Sequence, residues 1–312
     1  MIISTWQQFS LSRLMLGTVQ FGLPYGVANQ TGQPSYREVV EIVAAAVDGG
    51  VNCFDTAAAY GTSEDVIGRA LSDLGVADRV LVVTKVRPLT LPELADSQLA
   101  AKAIEQSIAE SRRRLRIDCL PVVLFHRESD AMYGNVLEDL RARGWLRHLG
   151  VSCDNRPGPA AEFVAGGHFS ALQIPGNVLD RRHQQSGIFQ TAAKQGVATF
   201  VRSVYLQGLL VMPAEEVPAA LREVIPVRTR LASLANEAGL SLAELALRYM
   251  LSIDEVTCVI TGVETVSQIK NNLSMFDRGR LPADLLAAIT AVTSELPERV
   301  ITPNLWPKKP TG

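Results

Sequence analysis

The chain has 312 residues, 47% of them hydrophobic and 20% charged, with a formal net charge of -2. That balance excludes a disordered polyelectrolyte and gives no support to nucleic-acid binding. The opening MIISTWQQFSLSR has no basic region leading into a long apolar core, and no stretch reaches the ~18 apolar residues of a membrane span, so a cytoplasmic protein without a membrane partner is expected.

From the N-terminus, strand-length apolar runs alternate with helix-length segments. Leu14 to Thr18 is predicted as the first strand, followed by a long loop from Val19 to Pro34. Ser35 to Glu38 reads as a capping box opening a helix that stops at Gly49-Gly50. Val51 to Phe54 is the second strand, and Asp65 to Leu74 its helix. Val80 to Lys85 is the third, followed by a helix from Ser97 to Leu115. Cys119 to His126 is the fourth, followed by a helix from Met132 to Arg143. Leu146 to Ser152 is the fifth, with a helix from Pro159 to Ala165.

Leu172 to Pro175 is the short sixth strand, followed by one helix from Arg181 to Gln195. Val197 to Ser203 is the seventh. A Pro-containing insertion from Tyr205 precedes helices at Pro226 to Ala238 and Ser241 to Leu251, the second announced by a capping box from Ser241 to Glu244. Val256 to Thr261 is the eighth strand, Thr265 to Met275 its helix, and Pro282 to Thr293 an additional C-terminal helix. Strands each followed by helical sequence, with no reversal of order and no linker, predict a closed (β/α)8 or TIM barrel forming one domain over residues 1 to 312. No Gly-x-Gly-x-x-Gly follows the first strand, which removes the usual mark of an open dinucleotide-binding sheet.

The cysteines, Cys53, Cys119, Cys153 and Cys258, lie in or beside apolar runs without ligand spacing. They read as small buried hydrophobes kept reduced, and no metal site is expected. His148, His168 and His183 are taken as helix or loop residues without chemistry, and Arg112 to Arg114 as a solvated helix face.

Asp55 ends the second strand, Tyr60 follows it, Lys85 ends the third and His126 ends the fourth. Neighbouring barrel strands lie about 4.8 Å apart, so these side chains can converge. Their types suit one task. A phenol is a poor acid at neutral pH, and a neighbouring ammonium stabilises its phenolate. Lys85 supplies the ammonium, Asp55 holds it, and His126 donates to a carbonyl oxygen. The set is an acid aimed at a carbonyl.

These residues, with FDTAAAYG at 54 to 61, VTK at 83 to 85, LFH at 124 to 126, GWLRHLGVS at 144 to 152, Leu172-Gln173 and ITGVETVSQIKNN at 260 to 272, resemble the aldo-keto reductases. The resemblance runs through nearly the whole chain. It implies an oxidoreductase that moves hydride between a nicotinamide and an aldehyde or ketone, including a sugar, with Tyr60 as general acid or base and Asp55, Lys85 and His126 completing the tetrad. It implies NADP(H), with NAD(H) left open because 261 to 272 offers only Lys270 as a cation and Glu264 lies nearby.

By the same resemblance the carboxamide meets Ser152 and Gln173, the ribose lies near Gly17 and Thr18, the pyrophosphate meets Ser203 and the turn to Gly208, and the adenosine end meets Gly262, Gln268 and Asn272. Two positions depart from the family pattern. Cys153 follows Ser152 where many members carry asparagine. Arg202 stands where many carry an aromatic ring that stacks on the nicotinamide, and a guanidinium can stack there or bind a phosphate or carboxylate. Substrate contacts are expected from Phe21 and Tyr25, from Arg127 to Gly134, from the insertion, and from Trp306. Two other readings stay open: a cofactor-binding regulatory or scaffold protein with little turnover, and a metal-dependent barrel hydrolase, disfavoured by the lack of paired histidines.

Overall fold

The computed structural model describes residues 1–29, 32–293 and 296–306. Residues 30 and 31, in the loop expected after the first barrel strand, lie outside them. An antiparallel hairpin, β1 (Ile3–Trp6) and β2 (Phe9–Ser12), precedes eight parallel strands. These are β3 (Leu14–Gly17), β4 (Cys53–Asp55), β5 (Leu81–Val86), β6 (Leu120–Phe125), β7 (Leu146–Ser152), β8 (Ala171–Pro175), β9 (Ala198–Arg202) and β10 (Cys258–Gly262). They pair in sequence order and close through β10 against β3, with helices outside. This is the expected barrel.

Period-two alternation sorts the strand side chains into two layers. One parity fills the barrel lumen: Met15, Cys53, Leu81 and Val83, Val122 and Leu124, Ala171, Ala198 and Phe200, Cys258 and Ile260. The other parity, with Leu14, Leu16, Phe54, Val82 and Val123, packs on the helices. Each large side chain buried here contributes about 1.5–3 kcal/mol. The same alternation continued toward the carboxyl ends points Gly17, Asp55, Lys85, His126, Ser152, Gln173, Arg202 and Gly262 inward. The candidate site is therefore the top layer of the lumen.

The other end is plugged by the hairpin, which the sequence reading passed over. Trp6 lies in the lumen cluster, touches His148 and Phe200, and donates its indole N–H to the Gly196 carbonyl at 3.1 Å. His148 is thus a strand residue on β7, not a helix or loop residue.

Other expectations need correction. The single helix expected over 181–195 is two, Arg182–Gln185 and Ile188–Lys194, separated at Gly187 in the left-handed region. The Ser241 box is half formed: its hydroxyl accepts from the Glu244 N–H, but the Glu244 carboxylate turns to Arg248 and Arg278. Of Arg112 to Arg114 only Arg113 is exposed as expected, since Arg112 covers the Trp145 ring and Arg114 reaches Glu64, Asp65 and Glu110. Cys119 is only half-buried. Among the described residues no helix is long and apolar enough to cross a membrane.

Candidate active site

The rim of β4 and β5 carries the charged centre of the site. The Lys85 ammonium, fully buried, donates to Asp55 Oδ1 at 2.7 Å and to the Thr56 carbonyl at 2.9 Å. Gln173, reaching across the lumen from β8, donates to the same Asp55 oxygen at 2.7 Å. Burial alone pulls the Lys85 ammonium down, but the Asp55 carboxylate and the Tyr60 phenol outweigh it and its pKa is raised. Lys85 is charged at neutral pH.

Tyr60 is brought to this ammonium by a turn. Its ring centroid lies 4.8 Å from Lys85 Nζ, and the His126 ring meets it edge-on at 5.6 Å. The turn needs two glycines. Gly61 has φ +56°, and a Cβ on Gly22 would lie 1.9 Å from the Tyr60 carbonyl. Below it the first helical residue, Ser63, donates to the Thr18 carbonyl at 2.7 Å and accepts from Thr56 at 3.0 Å. Thr18 is itself fully buried, and its hydroxyl bonds the Asp55 carbonyl at 2.8 Å. Next to it, buried Glu64 accepts from Thr84 at 2.6 Å, beside Lys85 in sequence. The hydroxyl network therefore locks the ends of β3, β4 and β5 together. Sequence reading missed Gly22, Ser63 and Thr84 as site residues; Ser63-Glu64, just beyond the 54 to 61 motif, was the available signal.

His126 completes the group from β6. Burial, then Lys85, Arg202 and Arg127, push its pKa down to about 3, so the imidazole is neutral. Its Nδ1 is buried without a hydrogen-bond partner.

The remaining candidates form the other half of the rim. Ser152 faces Gln173 in the β7–β8 register, and its hydroxyl carries no hydrogen bond from the described residues. Cys153 is buried, which pushes its thiol up and keeps it protonated; its backbone N–H donates to the Gln173 carbonyl at 2.8 Å. Arg202 is half-buried and donates to the Cys153 carbonyl at 2.9 Å and to Ser203 Oγ at 3.3 Å. Ser203, Leu206 and Gln207 all have positive φ, and Asn177 donates to the Ser203 carbonyl at 3.1 Å. Gly208 follows at φ +93°.

At β10, Gly262 leaves room that the Gln20 side chain fills, and Gln20 Oε1 is buried without a partner. Gln268 completes the capping box with Thr265. Asn272 bonds both Thr261 and Tyr205. Of the expected substrate contacts, Tyr25 is exposed and within electrostatic reach of Arg202 and Tyr60. Phe21 and Trp306 do not line a cleft, because both are packed in the core. Among the described residues no group of three or more potential ligands could hold a metal.

The sequence model for the aldo/keto reductase family matches residues 13–294. The chain belongs to that family. As an aldo-keto reductase it is an oxidoreductase. Its fold is similar to that of the aldo-keto reductase AKR11C1 from Bacillus halodurans in its holo form, with a TM-score of 0.77 and 22% identity over 96% of this chain and 99% of that one. It is 24% identical to a probable voltage-gated potassium channel subunit beta from Arabidopsis thaliana over 98% of both chains. It is also 24% identical to the L-glyceraldehyde 3-phosphate reductase of Escherichia coli over 89% of both.

Within this aldo-keto reductase, the residues present fit a nicotinamide. The free Ser152 hydroxyl and the Gln173 amide stand side by side for a carboxamide, and Gly17 and Gly262 line the β3–β10 side of the rim. The 261–272 stretch offers a 2′-phosphate only Lys270.

Proposed function

We propose that this aldo-keto reductase reduces the carbonyl of a small aldehyde or ketone, and in reverse oxidises the alcohol, using NADP(H) and Tyr60 as the proton-transferring acid or base. The observation that carries the reading is the buried Lys85 ammonium, fixed by Asp55 and Thr56 and facing the Tyr60 ring. The cofactor, when bound, supplies or accepts the hydride; Ser152 and Gln173 would hold its carboxamide.

The protein groups do the rest. Neutral His126, with Nδ1 enclosed, presents an Nε2–H donor to the carbonyl oxygen and polarises it. Tyr60 gives its hydroxyl proton to that oxygen as the carbon gains hydride, and the phenolate left behind is stabilised by Lys85. Asp55 keeps Lys85 charged and in place, and Gln173 holds Asp55. No proton has to leave the site during the step.

A second reading, a cofactor-binding regulatory subunit with little turnover, is supported by the likeness to a protein named as a potassium channel subunit. Turnover separates the two. NADPH oxidation is followed by absorbance with a panel of aldehydes and sugars, with NADH in parallel. The reading expects aldehyde-dependent oxidation, faster with NADPH; cofactor binding without turnover of any carbonyl would favour the regulatory reading.

A further inference from the structure

Arg202 is a charged group in the site that the proton-transfer scheme leaves without a task. It stands two residues beyond lumen-facing Phe200, and the register pairs Gln173 with Phe200 and Pro175 with Arg202. Its guanidinium therefore lies one layer above Gln173, the residue that touches Asp55. It is held from two sides, by the Cys153 carbonyl and the Ser203 hydroxyl, both neutral. Ser203 is in turn fixed in a left-handed conformation that costs free energy in a residue with a Cβ.

Several buried or partly buried arginines are neutralised, Arg87 by Glu93, Arg114 by Glu64, Arg182 by Asp180 and Arg248 by Glu244, while Arg13, Arg112, Arg181 and Arg228 donate to backbone carbonyls. Arg202 differs from both sets in standing on the lumen parity at the rim of the site. Among the described residues no carboxylate lies within ion-pair distance of Arg202, nor of Arg127, which follows His126. Asp55 is engaged by Lys85 and Gln173, and Glu128 holds the Asp154 amide. His126, which faces the reacting carbonyl in the proposed function, lies in the field of Lys85, then Arg202 and Arg127. A half-buried, pre-oriented guanidinium with N–H donors to spare suits a planar or tetrahedral oxyanion.

We propose that Arg202 is an anion subsite, and that the substrate is a carbonyl compound bearing a carboxylate or phosphate. This rests on the carbonyl-reduction reading of the site. The anion completes the charge balance of the rim and fixes the carbonyl between Tyr60 and His126.

The test compares charged and neutral partners: succinic semialdehyde with its methyl ester, and glyceraldehyde 3-phosphate with glyceraldehyde, the two pairs distinguishing carboxylate from phosphate. Wild type is expected to favour at least one anion in kcat/KM. Arg202→Gln is expected to lower that preference about 10- to 150-fold, the range for losing a charge-assisted hydrogen bond, with Arg202→Lys keeping part of it. Binding of the same anions to the NADPH-loaded Tyr60→Phe protein, read by cofactor fluorescence, reports recognition without chemistry and should show the same Arg202 dependence. Wild type without preference for either anion overturns the proposal, as does Arg202→Gln weakening both partners equally or weakening NADPH binding with the preference unchanged. Absence of turnover in wild type with Arg202-dependent anion binding intact would refute carbonyl reduction while supporting the subsite.

Discussion

Replacing Lys85 with methionine keeps most of the aliphatic stem and removes the ammonium. In the native protein that ammonium is fully buried, bonded to Asp55 at 2.7 Å and to the Thr56 carbonyl at 2.9 Å. After substitution the Asp55 carboxylate, in a residue only 4% exposed, keeps the Gln173 amide as its hydrogen-bond donor. Breaking a buried ion pair from one side costs about 3–5 kcal/mol, chiefly because the remaining charge stays desolvated and unpaired. Against a total stability of roughly 5–15 kcal/mol for a domain, that is a large loss.

The double variant Asp55→Asn/Lys85→Met removes the orphaned charge. It should therefore recover about 2 kcal/mol or more of the single variant's loss. Urea denaturation of the four proteins in the cycle measures this, with unchanged m-values showing that the midpoints report stability. Activity should stay lost in the double variant, because the phenolate has no cation. A Lys85→Met loss below about 1 kcal/mol, or a double variant whose loss equals the sum of the singles, would refute the description of Asp55 and Lys85 as one interdependent buried unit.

Other expectations follow from the same geometry. His126 has a folded pKa of about 3 against an ordinary 6.5, so the unfolded chain takes up this proton first as pH falls. Stability is thus lost between about pH 6.5 and about pH 3, at ~1.4 kcal/mol per unit from this group; His126→Gln should flatten the dependence of the urea midpoint by one proton, and an unchanged slope would contradict it. Gly22→Ala places a methyl against the Tyr60 carbonyl and should lower kcat about 10- to 100-fold through misplacement of Tyr60, with NADPH affinity measured by fluorescence changing less. Ser63→Ala removes the hydroxyl between Thr18 and Thr56 and should cost about 1–3 kcal/mol in thermal or urea unfolding.

The barrel was legible because its signals are local. Capping at Ser35 and Thr265 marks helix starts, the predicted ends of the helix Ser97–Leu115 and of β7 coincide with those observed, and strand-length apolar runs alternate with helices throughout. What escaped lacks a local mark. The hairpin at 3–12 turns through Gln7 at φ +51°, without the glycine or asparagine that usually announces such a turn. Gly187 was hidden inside a sequence otherwise suited to one helix.

At the site, Asp55, Tyr60, Lys85 and His126 were visible as polar residues ending apolar strands. Extending the lumen parity of Phe200 and Ile260 by one step also reaches Arg202 and Gly262, a use of alternation available from sequence once the inward set is known. The hydroxyl lock of Thr18, Thr56 and Ser63 was not legible, because it joins residues far apart in sequence through bonds that no periodicity encodes. Arg202 could be found by position, but only its neutral partners and the missing carboxylate distinguish its environment from that of the paired arginines.

The most direct test of the central claim is kcat/KM for NADPH-dependent aldehyde reduction by Tyr60→Phe beside wild type, with cofactor affinity measured on the same samples. Loss of a general acid predicts a fall of about 10²- to 10⁴-fold, with NADPH binding retained because the hydroxyl is not among the groups assigned to hold the cofactor. A Tyr60→Phe protein that turns over aldehyde at the wild-type rate would contradict the account.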